Sequence, residues 1–163
     1  RRIEWWLGPA SPPAPEGLVP DETPLLTGMT CAGPPPQVPG VEVRHAGVAE
    51  VAEVEHAVWG GEASPPREEH PTIHHFAAEI DGRIAGIGRA VDFDAGVALM
   101  GGAVLPELRG RGAYRALVRA RWDHAVARGT PLLVVQAGAM SAPVLGRLGF
   151  VPHATLKLYV DRL

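Results

Sequence analysis

The chain has 163 residues, of which 46% are hydrophobic and 20% are charged, and its formal net charge is −3. This length suits one core-bearing domain, and the composition is that of a soluble globular protein. No run approaches the roughly 18 apolar residues that a membrane span needs, so no membrane association is expected. Cys31 is the only cysteine, which excludes an internal disulfide and favours a reducing, cytoplasmic location.

Residues 1–40 differ from the rest because they hold ten prolines. Such a stretch favours extended, polyproline-like structure, and we assign it as a proline-rich N-terminal segment. Residues 1–7 are the exception, since their apolar and aromatic side chains predict a strand. Asp21 is predicted to cap a short helical turn that ends at Gly28. The first residue, Arg1, is not a methionine, which indicates upstream sequence.

A regular alternation of elements begins after residue 40. Hydrophobic periodicity predicts a strand at 41–44 and a helix at 48–59. Three strands follow, at 72–80, 83–93 and 97–105. Asp81-Gly82 is a strong hairpin signal between the first two of these three, so we expect an antiparallel meander. Gly101-Gly102 would weaken a plain strand, and it predicts a bulge or a close ligand approach.

The most informative stretch lies between the third strand of the meander and a helix predicted at 113–128. The start of a helix leaves backbone N–H groups unpaired and carries the positive end of the macrodipole. Gly110 and Gly112 let the main chain approach an anion closely. Arg109, Arg111 and Arg115 add donors suited to phosphate oxygens. The stretch therefore predicts a site for a compact anion such as a diphosphate.

Other ligands for this basic turn are less consistent with the sequence. Nucleic acid would require a broader basic face with exposed aromatic residues for stacking, so no nucleic-acid partner is expected. The stretch also lacks the Gly-x-x-x-x-Gly-Lys-Ser/Thr pattern of phosphate-binding loops. It lacks the third glycine and the later acidic residue of a dinucleotide fold as well.

The segment Arg109-Gly110-Arg111-Gly112-Ala113-Tyr114 resembles the Gln/Arg-x-x-Gly-x-Gly/Ala signature of the GNAT superfamily of N-acetyltransferases. A buried strand predicted at 132–135 and the ending Leu148-Gly149-Phe150 agree with the family's order of elements. The resemblance covers residues 41–163. It implies an α/β fold, with a mixed, mostly antiparallel sheet flanked by helices. The implied reaction transfers an acetyl group from acetyl-CoA to a primary amine of a small molecule or peptide.

The resemblance also assigns the coenzyme site. In the family, the backbone at the positions of Val104 and Leu105 pairs with the pantetheine arm, and the turn binds the diphosphate. The implied cofactor-binding residues are Val104, Leu105, Arg109, Gly110, Arg111, Gly112, Ala113, Tyr114 and Arg115. Residues 1–40 look like the tail of a degenerate acetyltransferase-like half, and a packed extension is equally compatible. The oligomeric state is not determined, and a homodimer is left open.

The sequence departs from the family at positions that often carry the chemistry. The third strand of the meander contains no carboxylate to serve as a base, and Leu145 stands where many members have a tyrosine that protonates the thiolate. Gly138 replaces a frequent asparagine, and Tyr114 replaces the last Gly/Ala of the signature. We therefore assign no catalytic residue. A non-catalytic module that binds acyl-CoA as a sensor or interaction domain is the alternative.

Histidines near position 74 raise the question of a metal. His74 and His75 are adjacent, so in a strand they point to opposite faces and cannot bind one ion together. His70 is predicted to lie in a loop. We therefore expect no metal site among these histidines. His75 or Asp92 would be a candidate general base if it faced the cleft.

Overall fold

The computed structural model describes residues 4–8, 10–22, 25–60 and 70–161. The chain divides into two compact units, the first formed by Arg1–Thr30 with Val135–Leu163 and the second by Cys31–Val134. In chain order, the elements are β1 (Glu4–Leu7), β2 (Leu18–Pro20), β3 (Leu26–Cys31), β4 (Glu42–His45), α1 (Val48–Trp59), β5 (Ile73–Ile80), β6 (Arg83–Phe93), β7 (Gly96–Val104), a 3-10 turn (Pro106–Leu108), α2 (Ala113–Ala127), β8 (Leu133–Ala137), α3 (Ala142–Arg147) and β9 (Val151–Asp161).

In the second unit, β4, β5, β6 and β7 pair in that order, and every pair is antiparallel. The hairpin between β5 and β6 turns at Asp81 and Gly82, whose φ angles are 53° and 72°. Positive φ at both central residues is the conformation that matches the twist of the strands, and Asp-Gly adopts it readily. The predicted meander is therefore confirmed.

The two long helices lie on opposite faces of this meander. Val51 and Val54 of α1 pack in a buried cluster with Ile87 of β6. The next residue of β6, Gly88, faces α2, because a Cβ placed there would lie 3.0 Å from Cζ of Arg121. Successive strand residues point to opposite faces, which accounts for this arrangement. The predicted α/β fold class, with helices flanking a largely antiparallel sheet, is confirmed.

The first unit is organised around β9. This strand pairs antiparallel with β1, β2 and β3 along its length. The strand predicted at 1–7 is therefore confirmed over its described part. The helical turn predicted to end at Gly28 is wrong, because Leu26 to Cys31 form β3, which gains ladder hydrogen bonds from β9 that an isolated turn would lack. Thr23 and Pro24, also in the predicted turn, lie outside the described residues.

The proline run near residue 35 packs against the second unit's own helix. Pro35 is fully buried, and its carbonyl accepts a hydrogen bond from Nη1 of Arg119 in α2 at 3.0 Å. Pro35 therefore anchors the run to α2, whereas Pro34 and Pro36 are exposed. The assignment of residues 1–40 and 41–163 as separate regions stays a prediction. None of the helices in the described part of the chain combines the length and apolar character that crossing a membrane demands.

Candidate functional site

The turn before α2 is shaped by two glycines. After the 3-10 turn, Gly110 and Gly112 adopt φ angles of 77° and 96°, in the left-handed region that side-chain-bearing residues resist. Gly112 is the N-cap, and α2 starts at Ala113 as the sequence predicts. The main chain therefore reverses sharply just ahead of the helix, and it leaves Gly110 and Arg111 exposed.

The backbone N–H groups of this turn are not used by the fold. Within the described ranges, no N–H from residues 110–115 donates to a backbone carbonyl, and the first such bond runs from Ala116 to the carbonyl of Gly112 at 3.0 Å. Unpaired N–H groups at the positive end of a helix dipole attract anions. This arrangement fits the diphosphate of a coenzyme.

The three arginines around the turn differ in their engagement. Arg111 pairs with Asp81 at 2.7 Å, and Nε of Arg109 donates to the carbonyl of Val104 at 3.2 Å. Arg115 is exposed, and no residue in the described part of the chain accepts a hydrogen bond from it. Its Nη2 lies 3.5 Å from the point where a Cβ on Gly112 would stand. Arg115 is therefore the guanidinium best placed to bind an anion at this turn.

The strand leading to the turn contains the predicted bulge. Between the pairs Ile87–Ala103 and Arg89–Met100, β7 holds one residue more than β6, and Gly101 has a φ of 54°. Beyond the bulge, the N–H of Leu105 donates to Ala85 at 2.9 Å. Because main-chain groups alternate in direction along a strand, the N–H and carbonyl of Val104 point away from β6. The carbonyl of Val104 already accepts a hydrogen bond from Nε of Arg109, so the N–H of Val104 is the more available of the predicted backbone contacts.

Tyr114 occupies space that a glycine leaves open. A Cβ on Gly102 would lie 3.0 Å from Cε2 of Tyr114, so the ring packs directly on the bulged strand. Burial raises the pKa of Tyr114, and nearby Arg121 acts in the opposite direction. The tyrosine that replaces a small residue of the family signature is thus accommodated by Gly102.

Arg121 is a buried cation beside Tyr114. It is 1% exposed, its Nε donates to Leu117 at 2.9 Å, and its Nη1 donates to the carbonyl of Arg89 at 3.2 Å. Its Nη2 has no hydrogen-bond partner in the described structure. Burial lowers the pKa of Arg121 to about 10, although Tyr114 opposes the shift. Gly88 makes room for this guanidinium.

An ion pair lies on the α1 face beside the bulge. Arg89 of β6 contacts Glu55 of α1, and both side chains are largely buried. A Cβ on Gly101 would be 3.3 Å from Cζ of Arg89. Burial lowers the pKa of Arg89. The face of the bulge opposite α2 therefore carries a cation and an anion that the sequence does not single out.

A second polar cluster lies near the C-terminal end of α2. Asp92 accepts hydrogen bonds from Nε2 of His124 and Nε2 of His74, each at 2.9 Å, and Arg128 Nε approaches the same carboxylate at 2.9 Å. Burial alone would raise the pKa of Asp92, but the hydrogen bonds from the two histidines outweigh it, and the pKa is lowered. Asp92 is therefore a poor general base, since its charge is held by three donors.

The structure separates the two adjacent histidines as the sequence predicts. His74 faces α2, whereas His75 is paired in register with Arg89 and lies on the α1 face. His70 lies before β5, where its Nδ1 contacts Thr72. The partner that sequence reasoning missed is His124, which comes from a distant helix. The only signal for it is a histidine in the last turn of α2.

In the first unit, Ser141 and Leu145 belong to α3. Ser141 is the N-cap, but its hydroxyl donates back to the carbonyl of Gly138 at 3.2 Å and does not cap the helix. Leu145, which stands where many relatives have a tyrosine, is fully buried. Neither residue presents a free polar group within this unit.

Comparisons with known proteins agree on one family. A model of the acetyltransferase (GNAT) family matches residues 41–150. A GNAT-family protein from Novosphingobium aromaticivorans is similar at a TM-score of 0.70 and 24% identity, over 98% of this chain and 75% of that one. The Escherichia coli ribosomal-protein-S18-alanine N-acetyltransferase is similar at a TM-score of 0.56 and 15% identity, over 74% of this chain and 92% of that one. AAC(6')-Iy, bound to a bisubstrate analog of coenzyme A and acetylneamine, is similar at a TM-score of 0.55 and 21% identity, over 67% of this chain and 89% of that one.

These similar structures are all less than 25% identical to the chain, so they support the fold alone. The chain spans 59% to 63% of the length of three other similar structures. A search of curated proteins finds no significant match.

Proposed function

The chain belongs to the acetyltransferase (GNAT) family, and from this premise we propose that it is an N-acetyltransferase that moves an acetyl group from acetyl-CoA to a primary amine of a small molecule or peptide. The observation that carries the proposal is the row of unbonded N–H groups from residue 110 to residue 115, set at the start of α2. Gly110 and Arg111 are exposed, so an anion can reach these donors at the positive end of the helix.

In this proposal, the turn holds the diphosphate of the coenzyme. The N–H groups after Gly110 and Gly112 bind its oxygens, and Arg115 adds a charge-assisted bond. Arg111 contributes less, because Asp81 already holds its guanidinium. The carbonyl of Val104, which points away from β6, exchanges its bond with Arg109 for one with the pantetheine arm, whereas the N–H of Leu105 stays bonded to Ala85.

When bound, the coenzyme would supply the thioester, and the chain's own residues would orient it and the amine. Holding two reactants in line contributes a large share of the rate in such transfers. The N–H of Val104 is a candidate donor to the carbonyl oxygen as charge develops on it. Water carries the protons, because β7 has no carboxylate to accept them.

In this proposal, the acceptor amine binds on the α1 side of the bulge. There, the ion pair of Arg89 and Glu55 offers one group of each sign for a polar acceptor. An aminoglycoside and an alanine-terminated peptide are the first acceptors to test, because similar folds act on a ribosomal protein's alanine and bind an acetylneamine analog.

A second candidate function is supported by the absence of the usual base. A module that binds acyl-CoA without turning it over needs the same turn but no carboxylate on β7. The deciding experiment first measures coenzyme A binding by calorimetry and then measures thiol release from acetyl-CoA with a panel of amines. Amine-dependent thiol release supports the enzyme. Binding without release on every amine supports the module, and absence of binding overturns both.

A further inference from the structure

Three side chains that the proposed acetyl transfer does not use meet between β5, β6 and α2. Nε2 of His74 lies 2.9 Å from Oδ2 of Asp92, and Nε2 of His124 lies 2.9 Å from Oδ1. All three potential ligand atoms fall within 4.8 Å of one another. The carboxylate is 11% exposed, and the two imidazoles are 28% and 16% exposed, so the group is recessed but open to ions.

We propose that His74, Asp92 and His124 form a binding site for a divalent transition metal of the zinc class. Two imidazoles and one carboxylate are a donor set that such ions accept, and three protein ligands leave one position for water. At metal–ligand distances of about 2.0–2.1 Å in tetrahedral geometry, neighbouring ligand atoms stand roughly 3.3 Å apart. The two imidazole–carboxylate separations of 2.9 Å, which involve different oxygens of Asp92, need to open slightly, and the two imidazole nitrogens lie within 4.8 Å of each other.

The rings are held in place by their neighbours. The centroids of His74 and His124 are 4.4 Å apart, and Phe76 lies 6.0 Å from His124 in an edge-on contact. Packing of this kind fixes ring orientation before the ion arrives. Binding requires the lone pair of each Nε2, so in the bound state the imidazole proton sits on Nδ1, and the N–H bonds to Asp92 are replaced by bonds to the metal.

Arg128 is the resident cation with which a metal would compete. Its Nε lies 2.9 Å from Oδ2 of Asp92. Its Nη1 also donates to the carbonyl of Gly96 at 3.2 Å and to Oγ1 of Thr130 at 3.0 Å, so the guanidinium keeps two acceptors when Nε withdraws. Removing this charge should strengthen metal binding, because a nearby positive charge repels the ion.

The sequence predicts no metal site, because that prediction rests only on the histidines near position 74 and does not include His124. It also stands apart from the proposed coenzyme turn, at the other end of α2. Its test therefore uses the metal alone and does not depend on acetyl transfer.

The test is a titration of the full chain with Co²⁺, followed by visible absorption, with Zn²⁺ competition and thermal unfolding as second readouts. We expect one saturable equivalent with the absorption of a four-coordinate ion, and a rise in Tm with Zn²⁺. His124→Gln and His74→Gln should each lose the spectrum. Arg128→Gln should bind roughly tenfold more tightly, which a purely structural role for the cluster does not predict.

The matched control is His153→Gln, because His153 lies in β9 and bonds only to Thr30 among its described contacts. It should keep the parent's spectrum and affinity. The proposal is overturned if the parent shows no saturable spectrum or if His124→Gln retains it. A sulfur-to-cobalt band would also overturn it, since that would assign the ion to Cys31. If the histidine variants do not fold, Arg128→Gln alone decides: unchanged or weaker Co²⁺ binding contradicts the site.

Discussion

The two ends of α2 differ in how their polar groups are paired. At the N-terminal end, the N–H groups of residues 110–115 have no backbone partner, and Arg115 is unengaged among the described residues. Near the C-terminal end, Asp92 is bonded to His74, His124 and Arg128. Ala113 and His124 are roughly 16 Å apart along the helix axis. The donors at the first end are therefore open to an anionic ligand, whereas the carboxylate at the second end already accepts bonds from three side chains.

The largest effect is expected at Gly112. Gly112→Ala forces a side chain into a φ of 96° and places a Cβ 2.7 Å from Cγ1 of Val38. We expect coenzyme A affinity to fall roughly 100-fold and Tm to fall as well, because the turn must shift. Calorimetry and thermal unfolding measure the two effects.

Gly146→Ala is the control for this change, since a Cβ there meets no atom within 4 Å and its φ is not positive. The double variant Gly112→Ala/Val38→Ala removes the clash and keeps the strain, so it separates folding from binding. Parent-like affinity in either Gly112 variant would show that the turn is not the coenzyme site.

Asp92→Asn should lower the stability of the fold without changing coenzyme A binding at the other end of α2. Loss of the charge leaves Arg128 and the two histidines without their anion, and we expect a loss of about 2 kcal/mol in the free energy of unfolding. Coenzyme A affinity should stay within about twofold of the parent's, because the coenzyme turn is a helix length away. Urea unfolding and calorimetry test this pair of results. A large loss of affinity in a folded variant would mean that the ends are coupled.

Arg115→Ala and Arg111→Ala compare a free arginine with an engaged one. Loss of one charge-assisted bond should weaken coenzyme A binding roughly tenfold in Arg115→Ala. Arg111→Ala should have a smaller effect, because Asp81 already holds that guanidinium. Calorimetry at two salt concentrations should show a reduced salt dependence for Arg115→Ala. The assignment fails if Arg111→Ala is the more damaging change.

The smallest effect is expected in the middle of α2, at Arg121. This buried cation has no partner for Nη2 among the described residues, so Arg121→Met should raise the free energy of unfolding by about 1 kcal/mol. Because burial lowers the folded-state pKa of Arg121 to about 10, well below its ordinary value, the penalty is complete below pH 10 and declines above it. Urea unfolding at pH 8 and above pH 10 should show the advantage of Arg121→Met shrinking. An advantage that grows with pH would contradict the buried-charge argument.

The first end of α2 was predictable because its signal is local. Gly110, Gly112 and the arginines lie within one turn of chain, and α2 begins at Ala113 as the sequence predicts. The Asp81-Gly82 hairpin and the bulge at Gly101 follow from equally local signals. Short-range steric rules decide such features before any tertiary contact forms.

The second end could not be predicted, because its residues come from three elements. His74, Asp92 and His124 meet only after β5, β6 and α2 have packed. Likewise, β3 was missed because its ladder is formed with β9, more than 100 positions away. The burial of Arg121 depends on Gly88, on another strand. Contacts between distant segments leave no pattern in a single sequence.

The central claim is tested most directly by mapping backbone amide shifts in an NMR titration with coenzyme A. The account predicts the largest shifts at residues 110–115 and at Val104, saturating together, with His74, Asp92 and His124 unchanged. Saturable shifts centred elsewhere, with residues 110–115 unmoved, would contradict it.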